Sequence, residues 1–151
     1  MRHLLIALSA VLLLGMCTSC SRVVLPPFKR VPADQVDQAQ LQTAERVAFR
    51  TLSAWRDGQF GPLGDDYSDV MKQALDSRQQ RAAQESIASF GAFESLEFVE
   101  ALSSDKDEAR HIYRFRGSFS KSKGKQEIRV VMDVRGKVSG FWIKPWRSVM
   151  R

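Results

Sequence analysis

The hydrophobic period of this chain changes once, near residue 93, and that change limits what it can fold into. Before it, apolar or small side chains recur at steps of three and four: Val36, Ala39, Ala44, Val47, Ala48, Thr51, Leu52 and Trp55. This is the spacing of one stripe on an amphipathic helix. After it, they recur at every second residue, as in Tyr113 and Phe115, then Ile128, Val130 and Met132. This is the spacing of a strand with one buried face. Helices first and strands afterwards make an α+β domain, not an alternating βαβ fold.

The breaks between elements are legible too. Asp34 suits an N-cap, with Asp37 in the first turn, and Gly58 supplies the stop. Asp65 or Asp66 then caps a short second helix carrying Tyr67, Val70, Met71 and Leu75. A third helix runs over 76–90 with Ala83, Ile87 and Phe90 inward, and Gly91 ends it. Strands follow over 93–102, 110–119, 126–134 and 138–143. The expectation is three N-terminal helices packed on a four-stranded antiparallel meander.

Parity assigns the faces. A tight turn at Arg135-Gly136 places Val130 opposite Phe141, Arg129 opposite Trp142 and Ile128 opposite Ile143. A hairpin tip at Lys123-Gly124 places Phe115 opposite Met132 and Phe119 opposite Ile128. One face then gathers Tyr113, Phe115, Phe119, Ile128, Val130, Met132, Phe141 and Ile143. The other gathers Arg114, Arg116, Arg129, Val131 and Trp142. A register slip of two residues keeps this division, and a slip of one destroys it.

The N-terminus carries an address. Residues 1–3 are a basic start, and residues 4–14 are an apolar run of eleven. A spanning helix needs about 20 apolar residues, so the run suits a secretory signal. Gly15-Met16-Cys17-Thr18-Ser19-Cys20-Ser21 resembles the lipobox of bacterial lipoproteins. The resemblance implies cleavage before Cys20, with Cys17 as the alternative lipidated residue, and an outer rather than inner membrane, since Ser21 follows. Residues 20–33, with Pro26, Pro27 and Pro32, read as a lipidated cysteine and an extended tether. The chain therefore divides into a signal peptide (1–19), the tether (20–33), one domain (34–147) and a short tail (148–151).

Two further stretches carry a second resemblance. Ser89-Phe90-Gly91-Ala92-Phe93-Glu94-Ser95-Leu96 and Gly136-Lys137-Val138-Ser139-Gly140-Phe141-Trp142-Ile143-Lys144-Pro145 are similar to junction and ending motifs in one branch of the nuclear transport factor two-like, or cystatin-like, superfamily. The resemblance implies a cone, with helices on a curved sheet. It carries over no catalytic residue.

The chemistry visible in the chain is that of binding. His111 is the single histidine beyond the signal, and no nucleophile elbow or phosphate-binding glycine loop accompanies it. Asp65-Asp66-x-x-Asp69 sits at a helix start, where capping accounts for it. No catalytic residue, metal site or cofactor is assigned. Trp55, Phe60, Tyr113 and Phe115 are candidate pocket lining for a small apolar ligand, the alternative function, to which the superfamily resemblance attaches weak isomerase- or hydrolase-like activity. Arg114, Arg116, Arg129 and Trp142 form a candidate partner patch, since Trp and Arg are favoured anchors.

The net charge of +6 is unevenly spread. Residues 20–109 hold 10 basic and 15 acidic side chains, and residues 110–151 hold 12 and 2. The strand-forming end is therefore strongly basic, which steers anionic partners towards the sheet. For an exported chain the expected partners are the membrane, through the lipid, and an envelope protein or anionic envelope component, not nucleic acid.

Overall fold

The computed structural model describes residues 28–104 and 110–147. Cys17, Cys20, the signal segment and the tail at 148–151 lie outside the described residues. The fold is α+β, with helices and one antiparallel sheet of five strands in the order β1-β2-β3-β4-β5.

Helix α1 spans Gln38–Arg56, and Asp37 is its N-cap, accepting from the Gln40 amide at 3.0 Å. Asp34, expected in that role, lies instead in a short 3-10 turn, Ala33–Gln35. Val36 is extended, so α geometry starts only after Asp37. The helix ends as expected at Gly58, whose φ is +71°. The Gln59 amide donates to Ala54 O at 2.8 Å and the Gly58 amide to Trp55 O at 3.1 Å, which satisfies carbonyls of the last turn.

Helix α2 spans Asp69–Ala74 and is capped by Ser68, not by Asp65 or Asp66. Those carboxylates are engaged elsewhere: Asp66 accepts from Arg46 at 3.1 Å, and Asp65 from Lys72 at 3.3 Å. Of its apolar residues Val70 is 75% exposed, while Met71 is buried. Helix α3 spans Ser77–Ile87 with Asp76 as cap, and a 3-10 turn, Ala88–Phe90, leads to Gly91. Gly91 has φ +84°, and a Cβ there would overlap Ser120 Oγ and crowd the Lys121 amide, so this junction needs glycine.

The strands are β1 (Phe28–Arg30), β2 (Phe93–Ser104), β3 (His111–Phe119), β4 (Gln126–Met132) and β5 (Val138–Pro145). The count corrects the expectation of four. Residues 28–30, read as tether, pair antiparallel with the end of β2, and the Val31 amide continues the ladder to Ala101 O at 2.9 Å. At the other edge, Ser68 and Asp66 bond to the backbone of Val138 at 2.9 and 2.8 Å, covering the start of β5.

The β4–β5 register is the expected one, with Ile128↔Ile143, Arg129↔Trp142 and Val130↔Phe141. The turn is longer than two residues. A bulge shifts Met132 to Val138, and the Asp133 carboxylate accepts from the Arg135 and Lys137 amides at 2.9 Å each. Between β3 and β4 the register differs from expectation: Phe115 pairs with Ile128, not Met132, so Ile128 does not lie opposite Phe119. The hairpin loop is longer than assumed, beginning after Phe119 and returning at Gln126. The slip is even, so each side chain keeps its face.

The inner face is the core. Tyr113, Phe115, Ile128, Val130 and Met132 are buried against Ala44, Val47, Ala48, Leu52 and Trp55 of α1. Each fully buried aliphatic or Phe side chain contributes about 1.5–3 kcal/mol. Helix α1 crosses β2 and β4, α2 meets β5, and α3 packs principally on α1. The three helices are thus not equivalent partners of the sheet. Gln80 of α3 knits this layer, accepting from Trp55 Nε1 at 3.3 Å and donating to Gly61 O and Leu75 O at 2.8 and 3.1 Å.

Candidate binding face

The outer face of the sheet carries the charged chemistry. Its outward positions form rows across the strands: Leu102, Ile112, Val131 and Gly140, then Glu100, Arg114, Arg129 and Trp142, then Glu97, Arg116, Glu127 and Lys144. Arg114 and Glu127 are among the most buried side chains of the protein, at 1% and 0% exposure.

Arg114 donates from Nε to Glu127 Oε1 at 3.1 Å, from Nη1 to Glu100 Oε1, and from Nη2 to Arg147 O at 2.9 Å. Arg129 donates to the same Glu127 Oε1. Trp146 closes this end, with the Arg114 and Arg116 guanidiniums 5.0 and 4.6 Å from its ring centroid. Burial pushes the Glu127 carboxyl upward, but the bonds from Arg129 and Arg114 outweigh it and hold the group below its ordinary value. Burial likewise lowers Arg114, and its bonds to Glu127 and Glu100 raise it above its ordinary value. Burial and the neighbouring Arg129 hold the Lys144 ammonium below its ordinary value. Glu127 Oε2 is buried with no partner among the described residues.

The other end is open. A groove of about 720 Å³ lies over Phe28, Ile112, Val131 and Trp142. Among the described residues its charged lining is Arg110, Arg129, Arg135 and Lys144 against a single carboxylate, Asp133. Trp142 is 53% exposed, and its ring lies over Gly140, where a Cβ would overlap it. Phe28, Leu102, Ile112 and Val131 form a second, smaller apolar cluster, of which Phe28, Ile112 and Val131 line the groove as its floor.

The candidate patch of Arg114, Arg116, Arg129 and Trp142 therefore lies on one face, but its members do different work. Arg114 is a buried anchor of the charge network, and Arg116 stacks on Trp146 while pairing with Glu97 at 3.4 Å. Arg129 is drawn to Glu127, so the cation–ring contacts found here involve Trp146 and not Trp142. Only Arg129 and Trp142 of the four border the groove.

Of the candidate pocket residues, Trp55, Tyr113 and Phe115 share one core cluster, with Phe60 packed against it. Trp55 borders a cavity of about 480 Å³ between α1 and the segment following it, with Tyr67 and Gln80. Tyr113 and Phe115 are buried in the core, beneath Phe98. Phe60 is half-buried under Arg81, 5.4 Å from its ring centroid. Burial, then the charge of Asp37, pushes the Tyr113 phenol up to about 12, and its hydroxyl donates to Gln40 Oε1 or Asp37 O at 3.4 Å. His111 Nδ1 lies 3.3 Å from the same Gln40 oxygen. Among the described residues no group of three or more His, Cys, Asp or Glu side chains could hold a metal ion, and no helix is long and apolar enough to cross a membrane.

Sequence reasoning missed Glu100, Glu127, Phe28 and Trp146. Glu127 shares parity with Arg129 and could have been placed by it. Glu100 could not, because a bulge between Phe98 and Glu100 reverses the phase of β2. No family model, curated protein or solved structure matches the chain.

Proposed function

We propose that this is a non-enzymatic binding module of the bacterial cell envelope, tethered by a lipid on Cys20 and facing the periplasm, with the outer sheet face as its working surface. The observation that carries the reading is the open groove: exposed Trp142 over an apolar floor, rimmed by Arg110, Arg129, Arg135 and Lys144. Such a site holds an anionic component with an apolar part, because cations attract the charge and the floor gains from burial of the rest. The domain is read as cone-like, cystatin-like in architecture, supported by α1 lying across one face of an antiparallel meander. The lipid anchor is supported by the short apolar leader and the lipobox-like cysteine.

Two measurements test the proposal together. Metabolic labelling with a fatty acid is expected to be lost in Cys20→Ala and kept in Cys17→Ala; the reverse result moves the anchor to Cys17. In-cell crosslinking is expected to weaken at least severalfold when Trp142→Ala is combined with Arg129→Ala, with the far-ultraviolet circular dichroism unchanged. An unaltered crosslink pattern rejects the working surface.

A further inference from the structure

We propose that the outer face docks on the anionic lipid surface of the membrane that carries the anchor, so that the domain lies against the bilayer sheet-first; this rests on the lipid-anchor reading above.

Three observations converge on one side of the molecule. The first is where the described chain begins. Phe28 forms part of the groove floor, and only eight positions separate it from Cys20. Eight residues span less than about 30 Å even when fully extended. An acylated Cys20 therefore keeps this face within that distance of the headgroups.

The second is where exposed apolar side chains lie. Among the described residues four large hydrophobic side chains are exposed, namely Phe49, Val70, Val134 and Trp142. Val70 and Trp142 border the groove, and Val134 sits in the β4–β5 turn between two groove residues, Asp133 and Arg135. Trp beside aliphatic side chains suits the interfacial zone, where one end of the ring is dry and the other wet.

The third is charge. Among the described residues the rim presents four cations and one carboxylate, Asp133, which accepts from the Arg135 and Lys137 amides and pairs with the Arg135 guanidinium at 3.5 Å, while Arg129 is held by Glu127. Cations close to an anionic lipid surface contribute about 1 kcal/mol each. The opposite end of the same face is covered by Trp146 and the Arg147 carbonyl, so the surface available to lipid is the end where the tether enters. Arg135 and Lys144 both line the groove, so a negatively charged surface seated on it meets both while Trp142 and Val134 enter the headgroup layer.

The experiment uses the processed full chain carrying a photo-crosslinking benzoylphenylalanine in place of Val134. A second chain carries the same probe at Ser86, exposed on α3. Each is reconstituted into phosphatidylcholine vesicles and into vesicles rich in phosphatidylglycerol. Illumination is followed by mass spectrometry of the adducts and of the N-terminal cysteine, and flotation reports anchoring.

The expected result is a phosphatidylglycerol adduct at position 134, at least tenfold above the Ser86 probe. It should fall to that background in phosphatidylcholine, and in the combined variant Arg110→Gln, Arg135→Gln and Lys144→Gln. Flotation without an adduct above background overturns docking and leaves the anchor standing. A phosphatidylglycerol-dependent adduct from a chain lacking acyl mass supports docking and overturns the anchor. Flotation with neither vesicle overturns both. Adducts in intact cells that fall on an envelope protein instead of lipid overturn the membrane as the occupant.

Discussion

Glu127→Gln tests the charge network on which the outer face is built. Arg114, Arg129, Glu100 and Glu127 carry two charges of each sign, with side-chain exposures of 1%, 11%, 16% and 0%, and the exposed Arg30 adds a pair to Glu100 at 3.4 Å. Gln has the same shape, so the substitution leaves no cavity, but it removes the one charge shared by both arginines. Breaking a buried ion pair costs about 3–5 kcal/mol, because the remaining charge is left uncompensated. Here Glu100 still holds Arg114, and Arg129 keeps some contact with water, so the expected loss is about 3 kcal/mol, the lower end of that range. With a urea slope of about 2 kcal/mol/M, the midpoint should fall by about 1.5 M.

The pH dependence supplies a second check. The folded-state value of Glu127 lies below its ordinary one. Its contribution is therefore present above the ordinary carboxylate range and is lost as pH falls through the lower, folded value. The two urea midpoints should converge in acid. Equilibrium urea unfolding at neutral and acid pH gives both results. A neutral-pH shift under about 0.3 M, or a gap that does not narrow in acid, refutes the reasoning.

Other outcomes follow from particular contacts. Phe115→Ala removes a side chain with 0% exposure and should cost about 3–5 kcal/mol in chemical denaturation. Gly140→Ala drives a Cβ into the Trp142 ring and should shift Trp emission while costing about 1–3 kcal/mol. The two tyrosines, Tyr67 and Tyr113, are both raised by burial, the latter to about 12, so absorbance titration of the folded chain should show no phenolate step near the ordinary value of 10.0. Their stabilising effect is present below that ordinary value and lost as pH rises through the raised ones, so stability should fall in strong alkali. Asp37→Ala removes the cap of α1 and should cost about 1 kcal/mol by thermal unfolding, whereas Asp34→Ala should have almost no effect.

Much of the fold was legible because alternation and helical spacing are local. The period change near Phe93 placed helices before strands, and parity along β3 to β5 assigned Phe115 and Ile128 inward and Arg129 and Trp142 outward. These assignments survived an even register slip, since the pleat repeats every two residues. The caps were misplaced because Asp34, Asp65 and Asp66 have the right chemistry, and tertiary partners decided which acid or hydroxyl was free to cap.

The sequence by itself determined the α+β class, the two faces and the concentration of basic residues in the last three strands, because each depends on residue type and spacing alone. Tertiary structure decided the rest. Residues 28–30 became a fifth strand because the far end of β2 offered an unpaired edge, a fact no local pattern in that segment records. Glu100 joined Arg114 because a bulge reversed the phase of β2, and the candidate patch split into a buried network under Trp146 and an open groove around Trp142. Which cations are buried in ion pairs and which face outward depends on neighbours distant in sequence, and only the folded sheet brings those neighbours together.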